Sequence, residues 1–318
     1  MEVHMMVCAN SVDLPDRREF QLGEIGLLRY ATDLETMVLD QVADALLGQS
    51  RIDRQHTWFG DWISNGTPGS FRFQRKRKPR RYVVLETTEQ RQIDLLQLLA
   101  LILVEPLVFS TPVKKIGPKF VLTFNTLGAA DSLVGLSNRE FRSGGQRNKR
   151  ISDADMKGLV NLLAHVGEEA EEAEQVLDLI RQYVDVLSIP IWSSFRFSAL
   201  MALIEGLLAH QPKPTDPTES ITRQIKRKFD LVNSISETPL QAKDFFPKIP
   251  DKLRTDQLWT RLYSLRSNIA HGNGGRLESQ SQYLVDVATA CKYLDASLRM
   301  LFRQWIAQPA IMSKIRAI

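Results

Sequence analysis

Cysteine is almost missing. Cys8 and Cys291 are the only two in 318 residues, too few for a disulfide framework or a paired-cysteine metal site, and in keeping with a reducing compartment. Histidine is scarce too: besides His271 there are His4, His56, His165 and His210, none with a second ligand at a metal-binding spacing such as HExxH. Glycine-rich phosphate loops of the GxxxxGK[ST] or GxGxxG type do not occur. Long apolar runs are lacking as well. The most apolar stretch, LLQLLALILVEPLVF at 95–109, holds Gln97 and Glu105 and is cut by Pro106, which leaves it short of the ~20 apolar residues a membrane helix needs. The amino-terminal residues have neither a basic start nor an apolar run of the secretory kind. These absences lead us to expect a cytosolic chain with no membrane segment, no metal and no cofactor.

Hydrophobic residues make up 43% and charged residues 25%, the balance of an ordinary globular protein. The length suits two domains at roughly 100 to 200 residues each. A net charge of +4 and a pI near 9.0 favour a polyanionic partner only where the cations cluster.

From about Asp153 the apolar residues fall into helical registers. Leu159, Leu163, Val166, Ala170, Ala173, Leu177, Ile180, Val184 and Leu187 step by four and three along one face of a long helix. The acidic run around Glu168 to Glu174 reads as its solvated side. A second helix, from about Ser193 to His210, contains FSALMALIEGLLA, apolar nearly all round and therefore deep in a bundle. Glu205 is the charge within that string. It must reach the rim or find a cation, with Arg266 and His271 as first choices. Prolines 212, 214 and 217 break the chain before a basic third helix carrying Arg223, Lys226, Arg227 and Lys228. A fourth helix starts near Thr255 or Asp256, with Leu258, Leu262, Leu265 and Ile269 as its buried stripe. The last helix starts at about Ser279 and buries Leu284, Val287, Cys291, Leu294, Leu298, Leu301 and Trp305. Five helices make residues 151–318 an all-α bundle.

Residues 1–150 read as a mixed α+β domain. YVVLE at 82–86 and KFVLTFN at 119–125 are strand-like, and TEQRQIDLLQLLALILV is helical. The polar stretch LSNREFRSGGQRNKR at 136–150 is the linker candidate.

The chemistry concentrates in LYSLRSNIAHGNGG at 262–275. Arg266 cannot act as a base and offers a planar fork to phosphate oxygens. An imidazole titrates near neutrality and can move a proton. On a continuous helix the two would point some 140° apart, at about 100° per residue; unwinding at the glycines would bring His271 round. A guanidinium holding a phosphate and an imidazole shuttling a proton suffice to cleave RNA. Without further context, the bland alternative is a helix-capping His271 and an Arg266 paired to a carboxylate such as Glu205.

This string, at the end of the fourth of five helices and after the ALIEGLL helix, resembles the HEPN superfamily, most closely its ApeA-like group. There a helix ends in an arginine followed four to six residues later by histidine. The resemblance covers about residues 155–310. It implies a helical domain that forms a homodimer, with two such helices facing one another in one composite, metal-independent endoribonuclease site whose products end in a 2′,3′-cyclic phosphate. Arg266 and His271 match the signature. Ser267 falls where the family often has Asn, Asp or His, and Asn268 lies one place later, so Ser267 and Asn268 join the candidate catalytic set, with Glu205 in support. Inactive HEPN members that only pair or bind are the other outcome. In defence proteins of this kind an amino-terminal half often senses a trigger ligand or protein, or recognises RNA.

The densest charge run is QRKRKPRR at 74–81, flanked by Phe71, Phe73 and Tyr82. Arg75, Lys76, Arg77, Lys78, Arg80 and Arg81 would grip phosphates while the aromatics stack on unpaired bases; a solvated loop or a nuclear import signal is the alternative. Arg223, Lys226 and Arg227 are the second candidate surface for RNA.

Overall fold

The structure, a computed structural model, describes residues 2–8, 12–14, 19–23, 26–47, 58–64, 71–77, 82–88, 90–117, 119–122, 149–150, 152–168, 170–210, 220–250, 255–272 and 284–317. The chain divides into two compact units: Met1–Gln97 with Leu107–Met156, and Leu98–Pro106 with Lys157–Ile318. It is a mixed fold, with an antiparallel sheet in the amino-terminal part and helices throughout the carboxy-terminal part.

The first unit is built on a six-stranded antiparallel sheet of β1 (Glu2–Cys8), β3 (Glu19–Leu22), β4 (Gly26–Tyr30), β7 (Val83–Thr87), β8 (Phe109–Ile116) and β9 (Lys119–Leu122), in the order β3-β4-β7-β1-β8-β9. A two-residue strand β2 (Val12–Asp13) pairs with β10 (Lys149–Arg150), and β5 (Trp58–Ser64) forms a hairpin with β6 (Phe71–Arg77). The strand-like string YVVLE falls on β7 and the first four residues of KFVLTFN form β9, while residues 123–125 lie outside the described part. Alternation along β1 and β7 puts Met5, Val7 and Val84 on one face, where they pack with Leu39 of helix α1 (Asp33–Leu47), and Ala31, Tyr82 and Phe120 close the cluster. Of the linker candidate only residues 149–150 lie within the described part.

That same sheet face holds charges the hydrophobic pattern did not reveal. Arg29 of β4 forks onto Glu35 of α1 with bonds of 2.7 and 2.8 Å, and onto Glu86 of β7 at 2.7 Å. Lys115 of β8 reaches Glu35 at 3.2 Å. Thr32 and Glu35 form a capping box: the Thr32 amide donates to the carboxylate and the Glu35 amide to the Thr32 hydroxyl. Burial alone would raise the Glu35 carboxyl, but the Arg29 hydrogen bonds, the Thr32 amide, the Arg29 charge and Lys115 together bring it from 4.5 down to about 2.

Helix α2 (Gln90–Leu101) ends in the 98–106 segment that groups with the second unit. Past the end of α2 the chain turns with carbonyls that have no helical partner, and two arginines from α9 (Val287–Ala307) take them: Arg299 donates to Leu103 and Val104, and Arg303 donates to Ile102 at 2.6 Å.

The rest of the second unit is helical. The long register at 153–187 is two helices, α3 (Asp153–Glu168) and α4 (Ala170–Leu187), with residue 169 outside the described part. In α4 the buried stripe runs Val176, Leu177, Ile180, Tyr183 and Val186, while Val184 and Leu187 are half-buried. Tyr183 takes the inner position because its hydroxyl finds Asp295 at 2.6 Å, which satisfies the one polar atom of an otherwise apolar ring. Helix α5 (Ser194–Leu208) is capped by the Ser193 side chain and packs against α4, α6 (Ile221–Ile235), α8 (Thr255–Ala270), α9 and α10 (Pro309–Ala317). An all-round apolar helix suits that position.

In the second unit two elements were not expected: the single turn α7 (Ala242–Phe245) and the terminal α10. The last long helix also starts later than about Ser279. Val285 has a φ of 65° and sits in a γ-turn closed by the Asp286 amide on the Leu284 carbonyl at 2.7 Å. A left-handed residue breaks helical phase, so Leu284 is buried ahead of the helix and Asp286 caps it through the Thr289 amide. An aromatic cluster of Phe229, Phe245, Phe246, Trp259 and Tyr293 joins α6, α7, α8 and α9, with Phe229 edge-on to Trp259 at 4.8 Å. Among the described residues no helix is long and apolar enough to cross a membrane.

Candidate functional site

Helix α8 carries the site because its two faces differ. Leu258, Trp259, Leu262 and Leu265 are buried and Ile269 is half-buried, which turns Tyr263, Arg266, Ser267 and Asn268 toward the flank and the solvent. The helix keeps its geometry to the end of the motif: the His271 amide donates to the Ser267 carbonyl at 3.0 Å. Gly272 then stops it, with φ +75° and its amide on the Ile269 carbonyl. A Cβ at Gly272 would meet nothing within 4 Å, so the preference for glycine there comes from the backbone angle and not from crowding.

This corrects one expectation. Unwinding begins after the His271 amide, so it does not swing the imidazole round to Arg266, and the offset of roughly 140° about the helix axis stands. Accordingly Arg266 is half-buried and engaged with its neighbours, whereas His271 is exposed, as is Ser267; Asn268 is half-buried.

Glu205, one turn before the end of α5, meets Arg266. Its Oε1 accepts from Arg266 Nη1 in a very short contact and from the Tyr263 hydroxyl at 2.9 Å. The Glu205 side chain is 15% exposed and that of Arg266 35%. So the acid on the apolar helix has found a cation, and that cation is Arg266. The Arg266 guanidinium also lies 5.9 Å from the centre of the Tyr263 ring. Burial, then the Glu205 charge and the hydrogen bond to it, push the Tyr263 phenol well above its ordinary value. Tyr263 was missed in the sequence reading. Its spacing was the available signal, since residues three apart on a helix share a face.

The basic candidates are placed unevenly. Arg75, Lys76 and Arg77 stand on strand β6, in register with Gly60, Phe59 and Trp58 of β5; that part of the run is a hairpin strand and not a loop. Lys78, Arg80 and Arg81 lie outside the described residues. Tyr82, expected beside the run as a stacking platform, packs against the sheet core instead. On α6, Arg223 and Arg227 are exposed and Lys226 is half-buried. Lys228 points inward: it is 1% exposed, donates to Gln224 Oε1 at 3.0 Å and the Arg316 carbonyl at 2.7 Å, and lies 3.2 Å from His210 Nδ1. Cys291 is fully buried, and burial pushes its thiol up to about 12. Among the described residues no group of three or more His, Cys, Asp or Glu side chains is arranged to hold a metal ion.

Comparison with protein-family models, with curated proteins and with solved structures gives no match.

Proposed function

We propose that residues 151–318 form a HEPN-type domain of the ApeA-like group, and that the protein is a metal-independent endoribonuclease whose site is completed by a second copy of the chain. The observation that carries this reading is the pairing, on one glycine-stopped helix end, of a half-exposed guanidinium oriented by Glu205 with a solvent-exposed imidazole. On one copy the two point away from each other. Two helix ends face to face would let the arginine of one copy and the histidine of the other act on a single phosphodiester. The imidazole would take the proton from the 2′-hydroxyl as its oxygen attacks phosphorus, the guanidinium would hold the phosphate oxygens as charge builds, and the 5′-oxygen would leave with a proton, giving a 2′,3′-cyclic phosphate. Arg223, Lys226, Arg227 and the basic hairpin strand would guide the RNA. The amino-terminal unit would sense a trigger or recognise RNA in a cytoplasmic response to stress or phage infection.

Ser267 motivates the second reading, a catalytically silent dimer that binds nucleic acid or protein, because it departs from the residue types usual after the signature arginine. One experiment separates the two. Purified full-length protein is incubated with RNA in EDTA, alongside Arg266→Ala and His271→Ala, and products are analysed for cyclic phosphate while solution mass is measured. Cutting by the wild type that both variants lose supports the nuclease. A dimer that binds RNA without cutting supports the silent module, equal cutting by the variants rejects the site, and a monomer counts against both.

A further inference from the structure

Tyr263 stands one helical turn before Arg266 and shares the Glu205 Oε1 atom with it. Its ring lies 5.9 Å from the guanidinium carbon, within the range of a cation–π contact. Glu205 and Tyr263 are the partners of Arg266 among the described residues. The guanidinium is therefore tied at Nη1 and steadied by the ring. The opposite edge, formed by Nε and Nη2, has no acceptor among the described residues, on a side chain that keeps 35% of its surface in solvent.

We propose that Tyr263 is a positioning residue: through Glu205 and through its own ring it locks the Arg266 guanidinium so that the Nε–Nη2 edge is held ready for two oxygens of a phosphodiester. The anion is RNA only if the ribonuclease reading holds; the lock itself does not depend on it. Arginine is long and has several rotatable bonds, so fixing it in advance removes an entropy cost from reaching the transition state. The phenol has a second effect. By donating to the carboxylate oxygen that Arg266 also binds, it draws off part of that negative charge and leaves the guanidinium more attractive to phosphate.

Tyr263→Phe keeps the ring and removes the hydroxyl. In the full-length protein it is expected to lower kcat on RNA roughly tenfold, the effect of losing one hydrogen bond to a charged group, with little change in KM. In a Glu205→Gln background the same substitution is expected to have almost no further effect, because the charge it acted through is gone. A loss of folded protein would scale activity down equally in both backgrounds, so an equal loss in both overturns the proposal. A second readout needs no cleavage. The Nε–H resonance of Arg266, assigned by its disappearance in Arg266→Ala, is expected to be sharp in the wild type and to shift and broaden in Tyr263→Phe. If the wild type cuts no RNA yet shows that shift, the lock stands and the ribonuclease reading falls. An unchanged resonance overturns the lock. Should Tyr263→Phe not fold, Glu205→Gln alone takes its place in the same spectrum, with the same shift expected and the same overturning result.

Discussion

Glu35→Gln in the sheet unit allows a stability change to be worked from geometry before it is measured. The wild-type carboxylate is 1% exposed, accepts two bonds from Arg29, one from Lys115 and one from the Thr32 amide, and titrates at about 2 in place of 4.5. At 1.36 kcal/mol per pH unit, that fall corresponds to about 3 kcal/mol of pH-linked stability. Breaking a buried pair costs roughly 3 to 5 kcal/mol where the other charge is left alone; Arg29 keeps Glu86 at 2.7 Å, so the expected loss sits at the low end of that range. The sign follows from the depressed value. The contribution is fully present above about pH 4.5 and is lost as the pH falls through about 2, because only the ionised form is stabilised. A chain with two compact units need not unfold in one step, so the assay must report on this unit alone. Hydrogen exchange of the peptide spanning 26–47, referred to the intrinsic exchange rate at each pH, does so. Glu35→Gln is expected to lower its protection by about 3 kcal/mol at pH 7, with the gap from wild type closing between pH 4.5 and 2. A gap under about 1 kcal/mol, or one that stays constant with pH, would refute the reasoning.

Two further expectations concern the helical unit. Trp259 is fully buried against Phe229 and Tyr293, so Trp259→Ala should cost about 3 to 5 kcal/mol in chemical unfolding; a loss below about 1 kcal/mol would mean the cluster is not packed as described. The Cys291 thiol, buried and raised to about 12, should resist alkylation in the native protein at pH 8 and react once the chain is denatured. Mass spectrometry of the peptide carrying it decides, and labelling at the rate of a free thiol would contradict the burial.

Much of the helical unit can be read from spacing. The FSALMALIEGLLA helix is buried at the centre of its neighbours, and the Leu258, Leu262 and Leu265 stripe faces the core, because each pattern is a property of one helix with 3.6 residues per turn. The misreadings share a cause as well. Val184 fits the four-and-three rule on α4 as well as Tyr183 does, but Asp295 on another helix decides that the tyrosine goes inward. Lys228 belongs to a basic string, yet the Arg316 carbonyl of α10 and the Gln224 side chain hold it in the interior. Ser279 lay inside an apparently continuous register, and one left-handed valine at 285 ended it.

The chain by itself determined where a guanidinium and an imidazole stand on one helix and where a glycine ends that helix, since both depend only on residues within a turn or two of each other. What orients the guanidinium was a tertiary decision. Arg266 lies 61 residues from Glu205, and no local periodicity says which of the acidic residues a given cation will meet. Only the packing of α5 across α8 brings that carboxylate to the arginine, just as only the sheet order β4-β7-β1-β8 with α1 on its face assembles Arg29, Glu35, Glu86 and Lys115. Long-range charge contacts follow from how faces stack, and faces stack to bury their apolar sides.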